Sequence, residues 1–155
     1  MLTRGAVTLV ILLAGLMTLA CSSGAGDDGP AATEGGEGPT RTATAGGIDV
    51  EVTWLGSDDE PREGLDAYPL DRFLLLEIGL DTHSGDLGSI DMVEAASLKA
   101  DGDPLEPEEW IASSDDSHHR SGVLVFAREL KVGPVMLTVD LGEGSVELVW
   151  DEVAD

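Results

Sequence analysis

The chain has 155 residues, of which 31 are acidic and 8 are basic, so its formal net charge is −23. A field of this sign repels nucleic acid and anionic membrane surfaces. It therefore excludes DNA or RNA binding and electrostatic attachment of the protein body to a bilayer. Hydrophobic residues make up 42% of the sequence, which is enough for one domain with a packed core.

The beginning of the chain has the pattern of an export signal. Arg4 gives a charged start, and an unbroken run of apolar and small residues follows from Gly5 to Ala20. As a helix this run spans about 24 Å, less than the roughly 30 Å hydrocarbon core that a membrane-spanning helix must cross. A charged start, a short apolar run and a small residue before the cut are typical of a removed signal peptide. We therefore predict a signal peptide over residues 1–20.

Cys21 directly follows this segment and is the only cysteine of the chain. The sequence Thr18-Leu19-Ala20-Cys21 resembles the lipobox of bacterial lipoprotein precursors, with Thr18 where most such boxes have Leu, Val or Ile. The resemblance implies that Cys21 carries diacylglycerol and acyl chains such as palmitate. The protein would then be held on the extracytoplasmic face of the cell membrane or outer membrane. The alternatives are a plain secreted protein, or a short uncleaved anchor, with an incidental thiol.

Residues 21–46 have the composition of a flexible tether. From Ser22 to Gly47 there is no large apolar residue, and Gly, Ala, Thr and acidic residues dominate. Such a stretch cannot bury enough surface to offset its ordering entropy, so we predict that it is disordered. A Gly-rich coil of about 25 residues spans roughly 25–30 Å, which carries the following domain clear of the lipid headgroups. Removal of Arg4 with the signal peptide gives a mature charge of 7 − 31 = −24.

Residues 47–155 are predicted to form the folded domain, an antiparallel, immunoglobulin-like β-sandwich of six to seven strands. Most of its apolar residues recur at a spacing of two, as they do on half-buried strands. One segment, Arg72 to Asp81, is apolar on both faces and is predicted to be a central strand. Gly142-Glu143-Gly144 predicts a hairpin turn, and Ile90 to Glu94 a short helical turn. The predicted strands are 48–54, 72–81, 95–100, 123–127, 135–141 and 146–150.

The three tryptophans all lie in this domain. Trp54 and Trp150 continue the inward alternation of their strands, which favours core packing over a carbohydrate-stacking platform. Trp110 follows an acidic turn, and the sequence leaves two positions open for it. It either caps the sandwich near the histidines or faces solvent.

The chain has only three histidines, and they flank two predicted strands. His83 follows the strand that ends near Asp81, while His118 and His119 precede the strand that begins at Val123. If these strands are antiparallel, all three imidazoles lie at the same end of the sandwich.

Imidazole and carboxylate groups suit Zn²⁺ or Cu²⁺. The candidate metal ligands are therefore His83, His118, His119 and Asp81, with Asp86 or Asp116 as a further carboxylate. Adjacent histidines point to different sides of an extended chain, so only one of the pair joins His83 easily. The alternative is a polar loop whose histidines form hydrogen bonds with the backbone.

Three segments resemble a group of small, uncharacterised prokaryotic exported β-domains: Leu80 to Leu87, Ile90 to Met92, and His118 to Phe126. The resemblance spans most of residues 48–150. It implies an exported β-domain and carries no activity with it.

Other chemistry is weakly signalled. Two acidic segments, 58–60 and 101–103 with Glu106, Glu108 and Glu109, supply oxygen atoms of the type that Ca²⁺ prefers, but neither has the spacing of a calcium-binding loop. The serines, acids and histidine of residues 113–118 lie in one short loop, which is a poor source of a catalytic triad. Phosphate-loop, dinucleotide and nucleophile-elbow motifs are also absent from the sequence. The sequence therefore predicts a protein that is not an enzyme.

Two functional hypotheses follow. In the first, the protein is a membrane-anchored extracytoplasmic lipoprotein that acts as a binding or interaction module for an envelope protein. In the second, it is an envelope Zn²⁺- or Cu²⁺-binding protein that uses His83 together with His118 or His119.

Overall fold

The computed structural model describes residues 31–32, 39–56, 59, 64–100, 104–127 and 134–151. These residues form two β-sheets packed face to face, which confirms the predicted all-β sandwich. The strands are β1 (Ala31–Ala32), β2 (Thr40–Ala45), β3 (Ile48–Trp54), β4 (Phe73–Thr82), β5 (Ala96–Ala100), β6 (Glu109–Asp115), β7 (His119–Ala127), β8 (Val135–Asp140) and β9 (Ser145–Trp150).

Among the described residues, helical structure is confined to one segment between β4 and β5. A 3₁₀ turn at Leu87–Ser89 is followed by the four-residue helix α1, Met92–Ala95. The Asp91 carboxylate accepts hydrogen bonds from two amides of the first turn of α1, as an N-cap does. This agrees with the helical turn predicted over 90–94. Within the described ranges, neither of these helices is long and apolar enough to cross a membrane.

The two sheets differ in size and regularity. The five-stranded sheet has the order β2–β3–β4–β7–β6 and is antiparallel throughout. The four-stranded sheet has the order β1–β9–β8–β5, in which only the two-residue strand β1 is parallel to its neighbour. The predicted hairpin between β8 and β9 is confirmed, because the Leu141 amide donates to the Gly144 carbonyl at 2.8 Å.

The main core lies between the two sheets. Its largest fully buried side chains include Leu76, Ile78 and Phe126 from the five-stranded sheet and Leu137 and Leu148 from the other. These residues alternate with outward-facing ones, as the sequence predicts.

Trp54 and Trp150 close one end of this core, each less than 5% exposed. Their rings meet edge to face with centroids 5.9 Å apart. The predicted core position of both rings is therefore confirmed, and we name this end of the sandwich the tryptophan end.

A second, smaller apolar cluster lies on the outer face of the five-stranded sheet. There Leu75 of β4 and Val125 of β7 are covered by side chains of the connection before β4, among them Leu65, Tyr68 and Leu70. This cluster covers the outward residues of the first half of β4, so the prediction that β4 is covered on both sides is confirmed for that half only. It protects only the part of the outer face nearest the tryptophan end.

The folded domain begins earlier than the predicted residue 47. Strand β2 pairs with β3 along its whole length, so residues 40–45 belong to the sheet and are not a disordered tether. Gly46 and Gly47 close the hairpin with φ of 57° and 75°. Two consecutive positive φ angles match the turn that suits strand twist, and glycine adopts them without strain. The strand has only Ala43 and Ala45 as inward apolar residues, which is why its composition resembled a tether.

Contacts at the tryptophan end hold this added strand to the opposite sheet. The Trp150 indole donates to the Pro39 carbonyl at 2.8 Å. The Arg41 guanidinium donates to the Val149 carbonyl at 2.8 Å and lies 5.6 Å from the centre of the Trp150 ring. Residues 39–45 are therefore part of the sandwich.

Strand β6 is the second correction, because the sequence predicts a polar loop around residues 113–118. Glu109–Asp115 instead forms an edge strand on β7, with a bulge between Ala112 and Ser114. The strand is mostly exposed, so it lacks the apolar alternation that reveals half-buried strands. With β1, β2 and β6 the described residues form nine strands, rather than six to seven.

Candidate functional site

The register between β4 and β7 confirms that the end of the first strand and the start of the second lie together. Asp81 is directly opposite His119, and Leu80 is opposite Arg120. We call this the histidine end of the sandwich. The connections 83–91 and 116–118 lie there, together with the turns 46–47 and 141–144.

Only one of the three histidines meets the predicted carboxylate. His119 Nδ1 contacts Asp81 Oδ1, and the side chains of the two residues are 72% and 60% exposed. His118 lies in the turn before β7, where its amide donates to the Asp116 carboxylate and its carbonyl accepts from the Thr82 amide at 3.0 Å. The backbone of His118 thus bonds both to its own turn and to the end of β4.

Among the described residues, no group of three or more His, Cys, Asp or Glu side chains is positioned to hold a metal ion. The proposed set of His83, His118, His119 and Asp81 lies wholly within those residues, and the structure brings together His119 and Asp81. His119 lies opposite Asp81 at the end of the β4–β7 pairing, whereas His83 and His118 lie beyond the paired residues. Two of the four proposed zinc or copper ligands, His119 and Asp81, are therefore in contact.

The calcium candidates lie partly outside the described residues, and those within them, which include Glu106, Glu108 and Glu109, form no group of three that could hold a metal ion. Of the acidic runs 58–60 and 101–103, the structure describes only Asp59, whose carboxylate accepts from the Gly56 amide at 2.6 Å.

The polar residues of 113–118 have structural partners. The Ser114 hydroxyl is 3.3 Å from the His119 carbonyl, and Asp115 pairs with Arg120 at 3.0 Å. The Asp116 carboxylate accepts from the His118 amide at 2.9 Å, and this hydrogen bond is the main reason that the pKa of Asp116 is below its ordinary value of 3.8. These contacts of Ser114, Asp115 and Asp116 build the β6–β7 hairpin.

Arg120 is a residue whose role the sequence analysis missed. It is the only buried residue with a charged side chain in the described part of the chain. Its guanidinium donates to Asp115 and to the carbonyls of Leu87 and Ile90, and it lies 5.5 Å from the centre of the Trp110 ring. The Arg120 side chain therefore fastens the helical segment between β4 and β5 to the β6–β7 hairpin.

The position of Trp110 follows from this arrangement. Its ring packs against the main core and crosses Gly122 of β7, where an added Cβ would lie 2.6 Å from Trp110 Cζ2. Glycine at this position makes room for the ring. Of the two positions that the sequence leaves open for Trp110, the structure has the one that caps the core near the histidines.

A shallow groove on the outer face of the five-stranded sheet is a feature that no single sequence segment predicts. It has a volume of about 320 Å³ and lies at the histidine end. Gly79 forms an opening in its floor, since a Cβ added there would meet nothing within 4 Å. We call it the carboxylate groove; it is lined by Thr42, Ala43, Thr44, Asp49, Val50, Glu51, Gly79 and Asp81.

The register of the sheet explains why the outward residues of this lining share one face, whereas Ala43 and Val50 belong to the core beneath it. Thr44, Asp49, Asp81 and His119 are successive partners across four strands and form one row. Thr42, Glu51 and Gly79 are partners in the next outward-facing row. A signal for the groove was present in the sequence, in the outward acids of β3 and the single glycine within β4, but only the register shows that they adjoin.

The electrostatics of the carboxylate groove are one-sided. Asp49 and Asp81 are directly opposite each other, an arrangement of like charges that destabilises a sheet. The Thr44 hydroxyl donates to Asp49 at 2.7 Å and His119 contacts Asp81, so each carboxylate has one polar neighbour. No lysine or arginine is among the lining residues.

No family model matches the chain, and no curated protein or solved structure matches it. The resemblances to lipoprotein precursors and to exported β-domains thus stay predictions from the sequence.

Proposed function

We propose that this protein is a lipid-anchored extracytoplasmic module without catalytic activity, which binds an envelope protein through the carboxylate groove. The anchor is Cys21 of the lipobox, and the partner-binding part is the sandwich domain. Acyl chains on Cys21 would hold the module at the membrane, whereas the acidic body would be repelled by an anionic bilayer. The partner-binding face would accordingly be directed away from the lipid surface.

The observation that carries the proposal is the division of one sheet face into a covered part and an open part. Toward the tryptophan end, Leu65, Tyr68 and Leu70 cover the apolar outward residues of β4 and β7. Toward the histidine end, the same face is lined by hydroxyls and carboxylates around Gly79 and is left open. An open, one-signed surface beside a covered one favours contact with an oppositely charged partner.

The anchoring half of the proposal is tested with Cys21→Ala. We expect the wild-type protein to incorporate an acyl label and to sediment with membranes. The variant should remain an unprocessed precursor or appear in the soluble fraction, since the thioether is the only strong attachment after cleavage. Equal sedimentation of the two proteins, with no acyl label on the wild type, would contradict the anchor.

The binding half is tested on protein extracted from membranes in a mild detergent. The wild type should elute as a complex larger than the free chain, and the Asp49→Asn, Asp81→Asn double variant should elute as the free chain. An Asp71→Asn, Asp151→Asn variant is the matched control, because it loses the same charge from exposed positions at the tryptophan end. If all three proteins elute as the free chain, the module has no stable partner through this groove.

A further inference from the structure

The carboxylate groove has features that select the chemistry of its occupant. Resting on the proposed function, we propose that the groove receives the guanidinium of an arginine in an extended, basic segment of the partner protein.

The charge of the groove favours a cation. Asp49 and Asp81 project from adjacent strands at directly opposed positions, where Cβ atoms are about 4.5–5.5 Å apart, and Glu51 lies one row further along the same face. A cation placed between Asp49 and Asp81 would offset their repulsion. Arg41, the basic residue of β2, instead binds the Val149 carbonyl and the Trp150 ring at the other end of the sandwich.

The shape of the groove favours a long, flat side chain. Gly79 leaves the floor of the groove open, and the volume of about 320 Å³ falls at the small end of the range of roughly 300–1,000 Å³ for ligand pockets. That space admits a long side chain that lies flat over Gly79. A bulky partner surface would instead rest on the rim.

The positions of the polar groups in the groove favour a guanidinium over a metal ion or an ammonium. The groove does not assemble three acidic or histidine groups around one point, as a divalent metal ion requires, and this holds for all the described residues. Two separated carboxylates and neighbouring hydroxyls match the planar fork of a guanidinium, which has five donors and binds carboxylates in a bidentate way. A lysine ammonium is a compact point charge and cannot span both strands in this manner.

The experiment is a titration of the isotopically labelled full chain, in detergent and at physiological salt, with hexa-arginine and with hexa-lysine. We expect hexa-arginine to saturate one site, with amide shifts concentrated at Glu51, Gly79 and Asp81. Hexa-lysine should bind about tenfold more weakly, and Asp49→Asn with Asp81→Asn should weaken hexa-arginine by at least about tenfold, as expected for the loss of charge-assisted hydrogen bonds.

Two further variants make the result decisive. Gly79→Val fills the floor of the groove at a strand position with room for a side chain, so it should keep the fold and abolish saturable binding. The Asp71→Asn, Asp151→Asn control should bind as the wild type does. Equal weakening in both double variants, equal affinity for the two peptides, or no saturable hexa-arginine binding would each overturn the inference. The anchor at Cys21 would be unaffected by any of these outcomes.

Discussion

Gly79 and Gly122 lie in adjacent strands of one sheet and have different surroundings. Gly79 opens toward solvent, whereas Gly122 faces the core and is crossed by the Trp110 ring. Glycine at the first position leaves a groove, and at the second it admits an aromatic side chain. Both are interior strand glycines, so their sequence environments look alike, and only the fold distinguishes them.

Alanine at each position tests this difference. Gly122→Ala should lower the free energy of unfolding by about 1–3 kcal/mol, because its Cβ would lie 2.5 Å from the Ile111 carbonyl oxygen and 2.6 Å from Trp110. Gly79→Ala should leave stability unchanged or raise it by about 0.5–1 kcal/mol, the usual gain over glycine within a strand. Urea denaturation of the full chain measures both. Equal effects would contradict the placement of Trp110.

Asp116 gives a pH-dependent prediction. The His118 amide lowers the pKa of its carboxyl in the folded state, so Asp116 contributes stability above its ordinary pKa of 3.8. That contribution should be lost as the pH falls through the folded-state value. We expect the carboxyl carbon of Asp116 to titrate below 3.8 by NMR, and Asp116→Asn to lose stability less steeply in acid than the wild type. Titration at or above 3.8 would contradict the hydrogen bond.

At the scale of elements, Arg120 joins segments that the sequence separates. Its guanidinium binds Asp115 of β6 and the carbonyls of Leu87 and Ile90 in the helical connection. The connection between β4 and β5 is thereby held against the edge hairpin. A backbone hydrogen bond adds a second link at the histidine end, where the Leu87 amide donates to the Ser117 carbonyl at 2.9 Å.

Arg120→Leu should therefore destabilise the protein by about 1–3 kcal/mol, mainly because the Leu87 and Ile90 carbonyls each lose a charged donor. Arg120→Lys should not restore stability, since an ammonium cannot reproduce the fork of donors. The exposed Arg72 provides a control, and Arg72→Leu should change stability by less than about 0.5 kcal/mol. Hydrogen exchange at Leu87 and Ile90 should accelerate in the Arg120 variants alone. Unchanged protection there would refute the fastening role.

Strand β2 gives a second prediction at this scale. A chain that starts at Gly47 lacks the β2 ladder and the contacts of Pro39 and Arg41 with the opposite sheet. We expect it to lose its cooperative thermal transition or to melt far below a chain that starts at Ser22. If both chains melt at the same temperature, β2 does not contribute to the fold.

The strands that the sequence predicts correctly are those with large apolar residues on their inward face. In β4, Leu74, Leu76 and Ile78 alternate with outward residues, and the pattern predicts both the strand and its central position. Strand β2 escapes prediction because threonines and alanines dominate it, and β6 because Trp110 and Ile111 are adjacent and do not alternate with polar residues. The pairing of both strands is decided by neighbouring strands.

The candidate site was predictable in part. The shared position of Asp81 and His119 follows from antiparallel pairing, which the sequence suggests. His83 and His118 would join them only if the connections 83–91 and 116–118 turned back over the sheet. The carboxylate groove depends on register, since a shift of one residue would turn Asp49 and Glu51 toward the core.

At the scale of the whole molecule, the described strands shorten the predicted tether. Ala31–Ala32 pairs with β9, so ten peptide steps separate Cys21 from the first described strand. Ten residues reach at most about 33–36 Å when fully extended. A lipid-anchored domain would thus stay near the membrane surface, and partners within this distance of the bilayer would be the ones in reach.

The central claim, that the open face is a partner-binding surface at the envelope, is tested most directly by site-specific photo-crosslinking in cells. A photoreactive amino acid is introduced in place of Glu51, within the carboxylate groove, or in place of Asp71 at the tryptophan end. We expect a discrete crosslinked protein from the first position in membranes, and none from the second. The adduct should disappear when Asp49→Asn and Asp81→Asn are added. The same adducts from both positions, or none from Glu51, would contradict the account.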